Sequence, residues 1–295
     1  MIMDKIVRFL KANSKIKIFN QNRQGTEAFN IDTNVNMERM IELLCNHQLN
    51  ADAIIEHLVG IFGESYISFS NLDFLYSQLE NGQEEFNELP YSILIFSPTE
   101  EYNFFTLATV GLSNYQMSYN PTTDQSIEFT EEITGKVHNP SDISWPEAEN
   151  RKFYGELIMA IGNDFSMPTL ANPEISGHPD FQWLARVFVR LVSFPHHLNT
   201  FIWHGHLMPL GDLRMPSNPN YSNIYIDLPI FMEQNLMSCV SPLNPDEDIH
   251  FLGVYPIYDE EIKLKMSLNS DSSEFFMKLV EAGAPLFRIQ RKPAV

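Results

Sequence analysis

The segment Phe153–Ile161 constrains the fold more than any other part of the chain. Almost every residue of Phe153-Tyr154-Gly155-Glu156-Leu157-Ile158-Met159-Ala160-Ile161 is apolar. A strand without alternation is buried on both faces, so this one belongs in the middle of a sheet with helices flanking it. Its one charge, Glu156, is costly to bury unless a partner meets it. The spacing offers Arg186, Arg190 or a histidine, in a structural ion pair rather than as a catalytic acid.

Helical and strand-like patterns alternate around this segment. Met37, Met40, Ile41 and Leu44 predict a helix over 36–47. Asn50 reads as the N-cap of a second helix, with Ile54, Ile55, Leu58, Val59 and Phe62 on one face and Gly63 as its stop. The runs 91–96 and 104–110 flank a turn-forming stretch and predict a hairpin. Pro179 opens a helix that Pro195 closes. Strands are predicted at 201–208, 221–228 and 250–258, and a last helix lies between Asp271 and Gly283. The stretches 139–150 and 211–223 are rich in Pro, Asn, Ser and Asp and read as irregular. The fold class that follows is α/β (mixed α+β): a central mixed sheet flanked by helices. It forms a single large domain, 36–295, with a helical, basic N-terminal extension, 1–35.

Charge is distributed unevenly. The chain of 295 residues has a formal net charge of −19, yet residues 1–24 carry +5, which leaves −24 on residues 25–295. A chain this acidic lacks the cations that nucleic acid binding demands. The basic arm reads as packed on its own acidic domain. No apolar run reaches membrane-spanning length and no secretory core follows the N-terminal charges, so no membrane span and a cytoplasmic location are expected. Cys45 and Cys239 are too few for a disulfide framework or a cysteine zinc cluster.

Catalytic signatures are missing. The sequence has no GxGxxG, GxxxxGK[ST], GxSxG, HExxH or CxxC. His196, His197, His204 and His206 fall within eleven residues, and on a strand His204 and His206 would share a face. A third metal ligand would have to come from His196 or Asp212, and nothing forces these groups to converge. No enzyme activity, metal or cofactor is expected.

Four motifs in order resemble the suppressor-of-fused domain, over about residues 50–288. They are Thr106-Leu107-Ala108-Thr109-Val110-Gly111-Leu112-Ser113 followed by Met117; Tyr154-Gly155-Glu156-Leu157-Ile158; Trp183-Leu184-Ala185-Arg186-Val187 leading to Gly205-His206; and Phe251–Tyr258 running into Asp259-Glu260-Glu261. The pattern departs at Val110 and Leu112, and the basic arm lies outside it. The resemblance implies a compact, bacterial-type member that binds proteins, and it marks Thr109, Gly111, Ser113, Glu156, Gly205 and His206 as motif positions of structural kind. Compact bacterial members of this family are associated with immunity against polymorphic toxins.

The expected function is therefore non-catalytic protein binding: an immunity protein that neutralises a basic toxin domain. The alternatives are an intracellular scaffold that sequesters another protein, and a metal-dependent hydrolase built on the His196–His206 cluster. Acidic runs beside a strand end mark loops, where recognition sits. The expected partner-facing patch is Asp246, Glu247 and Asp248 before the strand at 250–258, with Asp259, Glu260 and Glu261 after it.

Overall fold

The computed structural model describes residues 35–118, 129–130, 137–138, 152–198, 201–268 and 272–295. The basic arm, the stretch 139–150 and the cap at Asp271 lie outside the described residues. The chain begins with a short strand, β1 (Val35–Asn36), paired with β3 (Glu85–Phe86). Between them lie helix α1 (Met37–Phe62), strand β2 (Tyr66–Ser70) and helix α2 (Leu72–Glu80).

α1 corrects the expectation of two helices. It is continuous over 26 residues, capped by Asn36, whose side chain accepts the Arg39 amide at 2.9 Å, and it stops at Gly63. Asn50 is buried inside it and caps nothing. A polar residue on a helix's inner face resembles a cap in sequence, but here it is drawn inward by a partner across the interface.

The hairpin β4 (Ser92–Phe96) and β5 (Phe105–Val110) is present, with Ser92 opposite Val110 and Phe96 opposite Thr106. β6 (Met117–Ser118) pairs with the start of β9 (Lys152–Ile161), and β7 (Phe129–Thr130) pairs with β8 (Val137–His138). Further on come α3 (Pro179–Leu198), β10 (Leu207–Pro209), β11 (Tyr221–Asp227), β12 (Ser238–Val240) and β13 (Asp248–Tyr258). The chain closes with α4 (Asp259–Ser267), α5 (Ser272–Glu281) and β14 (Leu286–Phe287). One mixed sheet runs β10-β11-β13-β9-β5-β4-β2, with β6, β12 and β14 attached. β9 is central, antiparallel to β5 and parallel to β13.

Two other expectations are corrected. α3 continues through Pro195 to Leu198, because a proline in the last turn costs one hydrogen bond without stopping the helix. The strand predicted at 201–208 shrinks to Leu207–Pro209, since Gly205 takes φ +85° and turns the chain just before it.

Alternation along β9 assigns the layers. Leu157, Met159 and Ile161 join a core with Leu184, Val187 and Phe188 of α3, while Tyr154 and Ile158 face the core of α1 and α2. Tyr255 and Ile257 of β13 pack with Phe275, Phe276 and Leu279 of α5 in a third core. At Gly253, between the second and third cores, a Cβ would overlap the Tyr255 ring, whose nearest carbon would be 2.8 Å away.

Candidate functional site

Glu156 shares a face with Tyr154 and Ile158, so its carboxylate points toward α1 and away from α3. This decides its partners. Arg186 is exposed on α3, and Arg190 donates to the Leu210 carbonyl at 3.0 Å, so neither cation expected from the sequence reaches it. The carboxylate instead fills a seat made by the turn after β5. Oε1 accepts from the Gly111 amide at 2.8 Å, the Ser113 amide at 2.9 Å and the Ser113 hydroxyl at 2.6 Å. Oε2 accepts from the Thr109 hydroxyl at 2.6 Å and the Leu112 amide at 3.4 Å. Thr109 Oγ1 also accepts the Leu157 amide at 2.9 Å, extending the β5–β9 ladder with a side chain. Burial raises the Glu156 pKa, and the hydrogen bonds from Ser113, Thr109 and the Gly111 and Ser113 amides pull against that rise.

The turn requires glycine at 111. Its φ is +157°, and a Cβ there would stand 3.0 Å from the Pro90 carbonyl oxygen and 3.1 Å from Tyr91 Cα. Four motif positions, Thr109, Gly111, Ser113 and Glu156, thus form one buried constellation. It anchors a turn and presents no open face.

Reading along the sequence missed the second half of this constellation. Asn46 Nδ2 donates to the Asn114 carbonyl at 2.7 Å, and Asn50 Nδ2 donates to the Ser113 carbonyl at 2.7 Å. His47 Nε2 lies 3.1 Å from Ser92 Oγ, and its Nδ1 lies 3.2 Å from Asn114 Nδ2. Because an amide nitrogen can only donate, Nδ1 accepts and the ring proton sits on Nε2. Burial pushes the His47 pKa down to about 3, against the Asn114 bond, which raises it. The recurrence of polar residues at 46, 47 and 50 on one helix face was the available signal.

Gly205 and His206 lie elsewhere. The Gly205 amide donates to the Ile226 carbonyl at 2.8 Å. His206 packs 5.0 Å from the Phe201 ring, accepts the Trp203 amide at 3.3 Å, and is held down to about 3 by burial, with Lys265 and His204 adding to it. His204 Nδ1 sits 3.9 Å from Asp227 Oδ1. His196 meets the Tyr115 ring at 5.1 Å, and Asp212 is an exposed neighbour of Arg190 at 3.9 Å. Among the described residues no three potential metal ligands assemble.

The acidic patch expected from the sequence is divided. β13 puts about 33 Å between Asp248 and Tyr258 at roughly 3.3 Å per residue, so the two runs cannot form one surface. Asp246 and Asp248 are exposed, and Glu247 accepts from Gln116 Nε2 at 2.5 Å. The second run starts α4 rather than a loop. Asp259 and Glu260 face solvent, but Glu261 is 0% exposed, accepts the Tyr258 amide at 2.9 Å and pairs with Arg291. Glu261 is therefore removed from the patch: an acid in a helix's first turn that reaches back to the cap faces inward.

A larger acidic surface is present instead. Residues 35–86 contain nine acidic residues against a single base, Arg39. Glu38, Glu42, Glu56, Glu80, Glu84 and Glu85 are exposed on the outer side of the α1–α2–β3 layer.

The family model for suppressor of fused protein matches residues 87–292. The chain belongs to the suppressor of fused family. No curated protein matches it. Solved structures that are similar include the following three. A putative suppressor of fused homologue from Neisseria gonorrhoeae is 15% identical, with 83% of this chain and 96% of that one covered and a TM-score of 0.45. The Sufu protein of a Sufu–Fu complex is 13% identical, with 83% and 91% covered and a TM-score of 0.47. Drosophila Suppressor of Fused is 14% identical, with 74% and 44% covered and a TM-score of 0.37. The family match begins at residue 87, so the acidic layer and the helix that closes the Glu156 constellation precede it. Among the described residues no helix is long and apolar enough to cross a membrane.

Proposed function

We propose that this protein is a non-catalytic binding module that occludes a basic protein partner, and that it serves as an immunity protein neutralising a toxin domain. The observation that carries the reading is the acidic outer side of the α1–α2–β3 layer, with six exposed glutamates in a segment, residues 35–86, that lies outside the family-matched region and holds one base against nine acids. Such a face raises the encounter rate with a positively charged partner and suppresses association with acidic ones. Family membership supports protein binding, and the relative crystallised in a complex with Fu gives one instance of it.

The test has two arms. The partner is isolated with the chain from its native cells, purified, and its association rate measured against ionic strength. Changing Glu38, Glu42, Glu84 and Glu85 to Gln should slow association at low salt and leave little difference near 1 M, where the screening length is about 3 Å. A rate indifferent to both salt and substitution removes the acidic layer from the reading. The partner domain is then expressed in cells with and without this chain. A partner that is harmless alone overturns the immunity reading and leaves binding intact.

A further inference from the structure

After β14 the chain runs without secondary structure across the corner formed by β11, β13 and α4, in a groove built for it. Tyr221 Oη donates to the Arg288 carbonyl at 2.8 Å, and Asn218 Nδ2 donates to the Ile289 carbonyl at 2.8 Å. The Ile289 amide donates to Asp164 Oδ2 at 3.1 Å, and the Ala294 amide donates to Glu261 Oε1 at 2.8 Å. Tyr258 Oη donates to the Arg291 carbonyl at 3.0 Å. All of these contacts read backbone, which any sequence offers.

Ile289 and Ala294 pack against the first and third cores, and one charged side chain is read as well. The Arg291 guanidinium meets both oxygens of Glu261, at 2.5 and 2.7 Å, and donates to the Pro256 carbonyl at 3.2 Å. Its central carbon lies 4.8 Å from the Tyr258 ring, which stacks on Tyr221 at 4.5 Å and 15°. Glu261 is 0% exposed and the Arg291 side chain 5%. A planar fork against a carboxylate, with an aromatic face beneath it, selects arginine over lysine.

We propose that this groove is a binding site for an extended, arginine-bearing segment of a partner protein, and that residues 288–294 occupy it as an internal ligand. Backbone reading plus one arginine pocket specifies the ligand class. The occupant follows β14 and adds no strand to the sheet, so it can leave without unfolding the sheet. An incoming segment then pays the cost of displacing it, and its apparent affinity is reduced by the fraction of molecules in which the groove is open. This inference uses a surface other than the acidic layer and stands whether or not that layer binds anything.

The probe is a fluorescent ten-residue peptide with the sequence of residues 286–295, titrated into the full chain. Arg291→Ala weakens the internal ligand and should bind the peptide at least about tenfold more tightly than wild type. A peptide with lysine in place of the arginine corresponding to Arg291 should bind that variant at least about tenfold more weakly. An Arg291→Ala protein with native circular dichroism that binds no better than wild type overturns the proposal. Hydrogen exchange on the wild-type chain tests it without any variant. The amides of Ile289, Arg291 and Ala294 should exchange at least about a hundredfold faster than those at the centre of β13, reporting local release. Equal rates would mean that the segment leaves only on global unfolding, and the groove could admit nothing else.

Discussion

The carboxylate of Glu156 and the amide of Gly111 meet at 2.8 Å across forty-five residues of chain. With Ser113 and Thr109 this contact fixes the turn after β5 against the central strand, and α1 docks onto the same turn through Asn46 and Asn50.

Replacing Glu156 by Gln should therefore destabilise the protein by about 3 kcal/mol, because an amide nitrogen would face donors and leave them unsatisfied in the interior. Gly111→Ala should cost more than about 1 kcal/mol, since the Pro90 carbonyl and Tyr91 Cα are backbone and cannot yield cheaply. Urea denaturation with an unchanged m value measures both. A Glu156→Gln protein as stable as wild type would show that the seat contributes nothing.

Stability should fall as the pH drops from about 6.5. His47 and His206 are held down to about 3 and His204 to about 4, so between those values and 6.5 the unfolded chain binds protons that the folded one refuses. Each of the three contributes stability that is complete above 6.5 and declines by about 1.4 kcal/mol per pH unit below it. Glu156, with its raised pKa, opposes this trend. Denaturation at pH 7 and pH 5 checks the sign, and His47→Gln should flatten the slope. A wild-type protein more stable at pH 5 would contradict it.

The acids at the start of α4 should behave unequally. Glu261→Gln breaks a buried, bidentate pair with Arg291 and should cost about 3 kcal/mol. Asp259→Asn and Glu260→Gln are surface changes and should stay within about 0.5 kcal/mol. Thermal melts of the three single variants separate these cases, and equal melting temperatures would refute the buried role of Glu261.

Neither cysteine should react readily. Burial pushes the Cys239 thiol up to about 12, with Glu156 and Asp248 adding to it, and burial also raises Cys45. At pH 8 the Cys239 thiolate is scarce enough that modification by an aromatic disulfide reagent should run about a thousandfold slower than for a free cysteine. Rapid stoichiometric labelling of Cys239 in the folded state would show the thiol to be accessible and ionised.

The sheet was legible because apolar runs announce strands. β4, β5, β9 and β13 share the sheet that their composition predicts, and Gly63 ends α1 as expected. What escaped depends on partners distant in sequence. Asn50 reads as a cap unless the Ser113 carbonyl is known to lie opposite. Glu156 demands a donor, but backbone amides leave no mark in a sequence, so the cations of α3 looked like the only candidates. Glu261 looks solvated until Arg291 is brought beside it. Charge density was legible too: the depletion of bases across residues 35–86 is visible by counting, whereas the runs at 246–248 and 259–261 drew attention because they are contiguous.

The position of β9 also bears on how the protein is made. On one edge it pairs with β5, which precedes it, while its other edge waits for β13 and β14. From Ile161 to Gly253 is about ninety residues, which a ribosome adds in roughly 5–20 seconds at the usual elongation rates. Throughout that interval the central strand of the sheet has one bare edge, a template for pairing with any other nascent strand. Anything that covers that edge during synthesis would keep it from pairing wrongly before β13 arrives.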